Sequence, residues 1–298
     1  TEWQEANERA GAGESSESLE RTLQQKGSIL LDKGTLQVEP SFSWSHFSSN
    51  RINIQGFSIL PVLVIGEIST ETVRRDILIN SYSFKYGLGD NLQTELKVPF
   101  RYQYDRVTAT DDSGETTRNK MGLGDIEMGV SRQIAWEQGL IPDLVANITV
   151  KPPTGAEPYN NDIGLGTGHW SVRTSLIAAK ASDPMVVFGS VSYTANLPRN
   201  NITNFGDIDP GDTFGWSVGT AIALSYKTAI NFSFDHSITG KMLRNDNSVN
   251  GSFLNAANFK SGISWAIDDN KSLDFSVGIG LTNDSPDLTV EVRVPVTF

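Results

Sequence analysis

No cysteine occurs anywhere in the 298 residues. A disulfide framework, a thiolate nucleophile and a cysteine-ligated metal are therefore excluded. No apolar run reaches the roughly 18 residues that a membrane-spanning helix needs. That absence leaves a transmembrane barrel open, because a barrel strand needs apolar residues only at every second position. Histidine is scarce: His46, His169 and His236 stand too far apart for ligand spacing, so no metal and no cofactor are expected. Basic residues are outnumbered, 24 Lys and Arg against 35 Asp and Glu, and no basic patch interleaved with aromatics occurs, which argues against nucleic acid as a partner. No nucleophile elbow, Walker loop or dinucleotide fingerprint is found. Gly122-Leu-Gly-Asp125 and Gly164-Leu-Gly166 are not followed by helical patterns, so they read as strand-entry turns rather than phosphate cradles. The chain opens Thr-Glu-Trp with neither an initiator methionine nor a signal peptide, as a mature or truncated form would.

What is present is period-2 alternation, clearest at the C-terminal end. Leu288, Val290, Val292, Val294, Val296 and Phe298 alternate with Thr289, Glu291, Arg293, Pro295 and Thr297, giving one apolar and one wet strand face. A terminal aromatic suits a strand ending where lipid meets water. The same alternation recurs through 36–45, 92–105, 125–131, 144–151, 170–178, 214–226, 230–235 and 273–281. Segments 73–86 and 185–197 are apolar on both faces and decide less. The wet faces carry mainly Ser, Thr, Asn, Gly and Ala, where the surface of a soluble sandwich would favour long charged side chains. This is the composition of a confined lumen. Glu39, Glu95, Lys97, Arg101, Asp125, Glu127, Lys151, Arg173, Asp235, Asp274, Glu291 and Arg293 fall on that face. They could tune selectivity or simply neutralise one another. Trp44, Tyr102, Tyr104, Trp170, Trp216, Tyr226, Trp265 and Phe298 fall near strand ends on the apolar face and are expected to form interfacial girdles.

Links between strands alternate short and long. The long ones are expected near 49–73, 106–122, 155–168, 198–212, 240–252 and, more briefly, 283–287. Outer-membrane barrels join strands by short periplasmic turns and long outer loops. The expectation is thus an all-β, antiparallel transmembrane β-barrel of about twelve strands over 34–298, in the bacterial outer membrane and its lipid. Strand one lies near 35–48, beside the last strand. Parity moves the strand-like Ile52–Glu67 into the first outer loop. Residues 1–33 form a separate helical plug or linker. Ser16 caps a helix through Lys26 and Gly27 stops it. Leu19 and Leu23 are its apolar pair; Glu20, Arg21, Gln24, Gln25 and Lys26 are polar, as a helix lying in a wet channel would be.

His46 and Ser48, two apart on one strand face, resemble the catalytic pair of the outer-membrane phospholipases, but the rest of that pattern is missing and no enzyme is expected. Five phrases in order carry a broader resemblance: Gly34-Thr-Leu-Gln-Val-Glu-Pro40, Tyr86-Gly-Leu-Gly-Asp-Asn-Leu92, Val98-Pro-Phe100, Gly122-Leu-Gly-Asp125 and Lys151-Pro-Pro-Thr-Gly155. Together they are similar to the outer-membrane transporters grouped with the phenol-degradation meta-pathway proteins, and within that group to the functional-amyloid (Fap) secretion pores of pseudomonads. The resemblance implies a gated biofilm-type pore exporting unfolded amyloid subunits, plugged by the N-terminal helix. It also implies a homotrimer, held by a coiled coil upstream of Thr1. The wider group implies the alternative, a passive channel for small aromatic or hydrophobic solutes.

Overall fold

The structure is a computed structural model. It describes residues 27, 30–49, 52–54, 68–89, 91–109, 115–158, 163–182, 184–203 and 205–298. The expected plug helix, with Leu19, Glu20, Arg21, Leu23, Gln24, Gln25 and Lys26, lies outside the described residues.

Twelve antiparallel strands close into a barrel. They are β1 (Leu36–Ser49), β2 (Ile68–Gly89), β3 (Leu92–Ala109), β4 (Glu115–Leu123 continued by Glu127–Ala135), β5 (Asp143–Lys151), β6 (Ser171–Ser182), β7 (Met185–Asn196), β8 (Thr213–Ala223), β9 (Thr228–Thr239), β10 (Leu254–Asp268), β11 (Lys271–Gly280) and β12 (Leu288–Arg293 continued by Val296–Thr297). Each pairs with the next in sequence. The wall closes where β1 meets β12, with Ser41 opposite Arg293 and Trp44 opposite Val290. Leu36 and Phe298 exchange backbone hydrogen bonds of 3.2 and 2.7 Å at the inner rim, so the chain's last residue pairs with the first residue of the first strand. Pro295 cannot donate to the ladder and interrupts β12. Val294 restores the pairing by donating to the carbonyl of Pro40 at 3.0 Å.

The burial pattern is inverted relative to a water-soluble protein. Phe42, Tyr82, Phe100, Ile148, Val218 and Phe275 are exposed on the outside of the wall, while Gln37, Glu39, Arg75, Gln103, Asp105 and Asp274 are buried within it. An exposed apolar belt around a polar interior is stable only against lipid. The aromatics fall at two levels of this belt. Trp44, Trp170 and Trp216 lie toward the ends joined by long loops; Tyr226, Trp265 and Phe298 lie at the opposite rim. Tyr226 sits in the turn after β8 rather than in the strand.

Three loop expectations are revised. The expected long link 106–122 is mostly strand: β3 runs to Ala109 and β4 starts at Glu115. Residues 106–122 are polar on both faces, so they carry no alternation signal where the hairpin rises clear of the bilayer. The first outer loop contains a short strand, Ile52–Ile54, which continues the β1–β2 hairpin by pairing with Ile68–Thr70. Two further outer loops fold on each other as a small sheet of Arg199–Ile202, Gly206–Asp209, Leu243–Arg244 and Asn247–Ser248. Positive φ angles at Asn201, Asn245, Asp246 and Gly206 make its tight turns.

Candidate functional site: the lumen and its outer loop

Because the period is 2, one parity of each strand projects inward. On β2 and β3 these are the odd positions, and they form a polar relay across the wall. Arg75 donates to both carboxylate oxygens of Asp105, at 2.7 and 2.9 Å. The Gln103 amide donates to the same two oxygens at 3.0 Å each, and Arg101 donates to Gln103 at 2.6 Å. Lower down, Lys85 meets Glu39 at 3.3 Å, and Arg293 lies 3.9 Å from both Glu39 and Glu291. Lys97 stands opposite Glu127, and Glu95 opposite Lys85. On the other side of the barrel Lys260 pairs with Asp235 at 3.0 Å.

Of these groups Asp235, Lys260, Glu291 and Arg293 border a cavity of about 340 Å³ inside the lumen. Arg173, Lys260 and Arg293 supply its cations and Asp235, Asp274 and Glu291 its anions. The wall of β6, β7 and β8 contributes serines, among them Ser175, Ser190, Ser192 and Ser217. Ser190 and Ser217 are hydrogen-bonded across the strands at 2.8 Å. Below the serines the inward face turns apolar. Ala179, Val186, Phe188 and Ala221 form a buried cluster, and Val145 and Ala229 on neighbouring strands are 0% exposed. The chain entering the barrel meets this floor. Gly27 packs against the inward-facing Ile177, where a Cβ would come within 3.3 Å of the Ile177 Cδ1. Leu31 is 2% exposed, and its backbone N–H donates to Gln93 at 2.9 Å. Asp32 passes so close to Gly87 that a Cβ there would fall 2.0 Å from its carbonyl oxygen.

The seam above β5 is closed differently. β5 pairs with β4 only from Met128 downward, so among the described strands the segment Glu115–Leu123 pairs with β3 alone. The outer loop 152–170 covers that gap. Ile163 and Leu165 are buried, and a Cβ on Gly122 would meet the Leu165 Cδ1 at 3.0 Å. Asp125, at the break in β4, holds the loop. Its carboxylate accepts from the Gly155 N–H at 2.9 Å, the Thr167 N–H at 2.6 Å and the Thr167 hydroxyl at 2.7 Å. Gly122-Leu-Gly-Asp125 is thus a bulge with a latch. The two glycines 155 and 166 are needed because a Cβ on either would overlap the other's backbone. His169, in the same loop, has Nδ1 3.0 Å from the Thr167 carbonyl and Nε2 3.3 Å from the Asn196 Oδ1. Burial and the nearby Lys151 lower the His169 pKa, against the opposing pull of those acceptors and Asp125, and keep the ring neutral.

Of the positions expected in the lumen, Arg173, Asp235, Asp274, Glu291 and Arg293 border the cavity, and Glu39 is joined to Arg293. Arg101 belongs to the relay with Gln103. Asp125 is buried and committed to the loop, and Lys151 borders a small void of about 20 Å³ beside His169. Arg75, Lys85, Asp105, Lys260 and Phe188 were not singled out by sequence. Arg75, Lys85 and Phe188 sit in the two segments read as apolar on both faces, where parity is hard to assign; Asp105 falls on the wet face of 92–105, and Lys260 lies in a segment where no alternation is read. The His46–Ser48 pair makes no nucleophile–base contact. His46 Nδ1 lies 2.9 Å from Asp76, and the Ser48 hydroxyl donates to Asp287 at 2.7 Å.

A closed twelve-stranded wall, apolar outside and charged within, defines an outer-membrane β-barrel. The sequence places it further: a family model described as "Putative MetA-pathway of phenol degradation" matches residues 76–298, and the chain belongs to that family. Among solved structures it is similar to an outer-membrane channel from Pseudomonas putida F1, at 14% identity and TM-score 0.68 over 91% of this chain and 98% of that one. More distant barrels include the translocator domain of the autotransporter NalP from Neisseria meningitidis, at 10% identity and TM-score 0.49 over 96% of each chain. Another is the P. putida toluene transporter TodX, at 9% identity and TM-score 0.40 over 91% and 89%.

Proposed function

We propose that the barrel is a passive outer-membrane channel for small solutes, of the kind its family description connects with aromatic degradation. The observation that carries this is the cavity of about 340 Å³ between Arg173 and Arg293, which is sized for a small molecule and bordered by serines and paired charges. Solute moves down its gradient past this wall. The N-terminal segment is the gate: it enters the lumen at Gly27 and Leu31. Residues 1–33 act as a plug unit, above a floor in which Val145 and Val186 are fully covered. Twelve strands enclose more space than their own side chains fill, so a fully covered floor supports an occupant. The inward charges Glu95, Lys97, Glu127 and Arg173 tune passage, and Trp44, Trp170, Trp216, Tyr226, Trp265 and Phe298 set the barrel's height in lipid.

Liposome swelling with small sugars and organic acids tests the reading. Full-length protein gives slow swelling, and removal of residues 1–33 raises the rate several-fold. Export of unfolded amyloid subunits by a trimer is the second reading, and it would use the same N-terminal segment as its gate. It requires that amyloid subunits leave cells through the chain, and complementation of an export-deficient strain distinguishes it. Secretion restored without any small-solute uptake would replace the first reading by the second.

A further inference from the structure

The cations bordering the cavity are not equivalent. Lys260 is matched by Asp235 at 3.0 Å, and Arg293 is shared between Glu39 and Glu291. Arg173 has neither. Its cross-strand neighbours are Thr149 and Thr194, and among the described residues it makes no hydrogen bond and has no carboxylate within ion-pair distance. The nearby inward Lys151 adds positive charge. An exposed arginine on the inward face without a partner keeps all its donors for a planar anion, and carboxylate is the anion whose geometry the guanidinium fork fits. Along the same strand face lie Ser175 and then Ile177, about 13 Å below Arg173 at roughly 3.3 Å per residue. Phe188 faces the same space from β7. Charge above and an apolar shelf below make an amphipathic cleft.

Resting on the solute-channel reading, we infer that Arg173 is the recognition point of the channel for small monocarboxylates with an apolar body, carboxylate on the guanidinium and body toward Ile177 and Phe188. The serines hydrogen-bond the carboxylate's remaining lone pairs. Asp235, Asp274 and Glu291 on the facing wall repel a second negative charge, which selects against dicarboxylates.

The probe is benzoate, added to the full-length protein conducting potassium chloride in a planar bilayer. Benzoate blocks the current saturably, and phthalate and benzylamine do so at least about tenfold less well. Arg173→Gln raises the half-blocking benzoate concentration about tenfold, the effect of losing one charged hydrogen-bonded contact. Arg173→Lys, which keeps the charge but loses the planar fork, gives a half-blocking concentration between those of the parent and Arg173→Gln. Equal block of parent and Arg173→Gln channels overturns the inference, as does equal block by benzylamine. Conductance without benzoate block refutes the inference alone, whereas no potassium chloride conductance at all refutes the channel reading beneath it.

Discussion

The Asp125 carboxylate accepts from Thr167 twice, through its backbone N–H at 2.6 Å and its hydroxyl at 2.7 Å. With the bond from Gly155, this joins the break in β4 to both ends of the loop that covers the seam above β5. Replacing Asp125 by Ala removes the acceptor of one buried and one half-buried backbone donor. The expected loss is about 3 kcal/mol, read as a lower unfolding temperature of the purified barrel and noisier single-channel current. Asp125→Asn, which keeps one acceptor oxygen, falls between the two.

The latch carries a pH dependence through His169. Its folded-state pKa lies below the ordinary 6.5, chiefly through burial and Lys151. The unfolded chain therefore binds the proton more readily than the fold does. Stability is expected to fall as pH drops through 6.5 toward the depressed folded value, and to level off below it. Thermal unfolding from pH 8 to pH 5 checks this: the parent loses stability in that window, and His169→Gln flattens that contribution.

Arg75 and Asp105 form a two-bonded pair, both buried in the wall. Removing one partner strands the other charge, so Arg75→Met is expected to cost about 3–5 kcal/mol. The double variant Arg75→Met with Asp105→Leu recovers much of that, because a buried pair replaced whole is near neutral. Denaturant unfolding of the two singles and the double measures the coupling.

At the inner mouth, Gly87 leaves room for Asp32 and is bonded to Gly34 and Thr35 at 2.8 and 3.0 Å. Gly87→Ala cannot coexist with that path. The variant is expected to fold and insert while its entering chain shifts from the mouth, giving a conductance higher than the parent's. Unchanged conductance with an intact barrel would show that residues 31–35 do not limit access.

The wall was legible because one rule, alternation, operates along its whole length, and because loop lengths and the Phe298 end fixed strand parity. Closure of β12 onto β1 follows from that parity alone. Legibility failed where the rule has nothing to act on. At 106–109 and 115–122 the sequence is mostly polar at both parities, so there is no alternation to read. In segments 73–86 and 185–197 the inward parity is mixed: Ile77, Val186 and Phe188 stand among Arg75, Ser81, Ser190 and Ser192, so the alternation is blurred. The role of Asp125 was invisible for a different reason. Strand parity gives a direction for its side chain, but its partners, Gly155 and Thr167, come from a loop whose path no local pattern encodes.

The central claim is that small solutes cross through this lumen under control of the N-terminal segment. Liposome swelling by the full-length chain and by the same chain lacking residues 1–33 measures it directly. The account predicts swelling in both, several-fold faster after removal; an intact inserted barrel that admits no small solute in either form contradicts it.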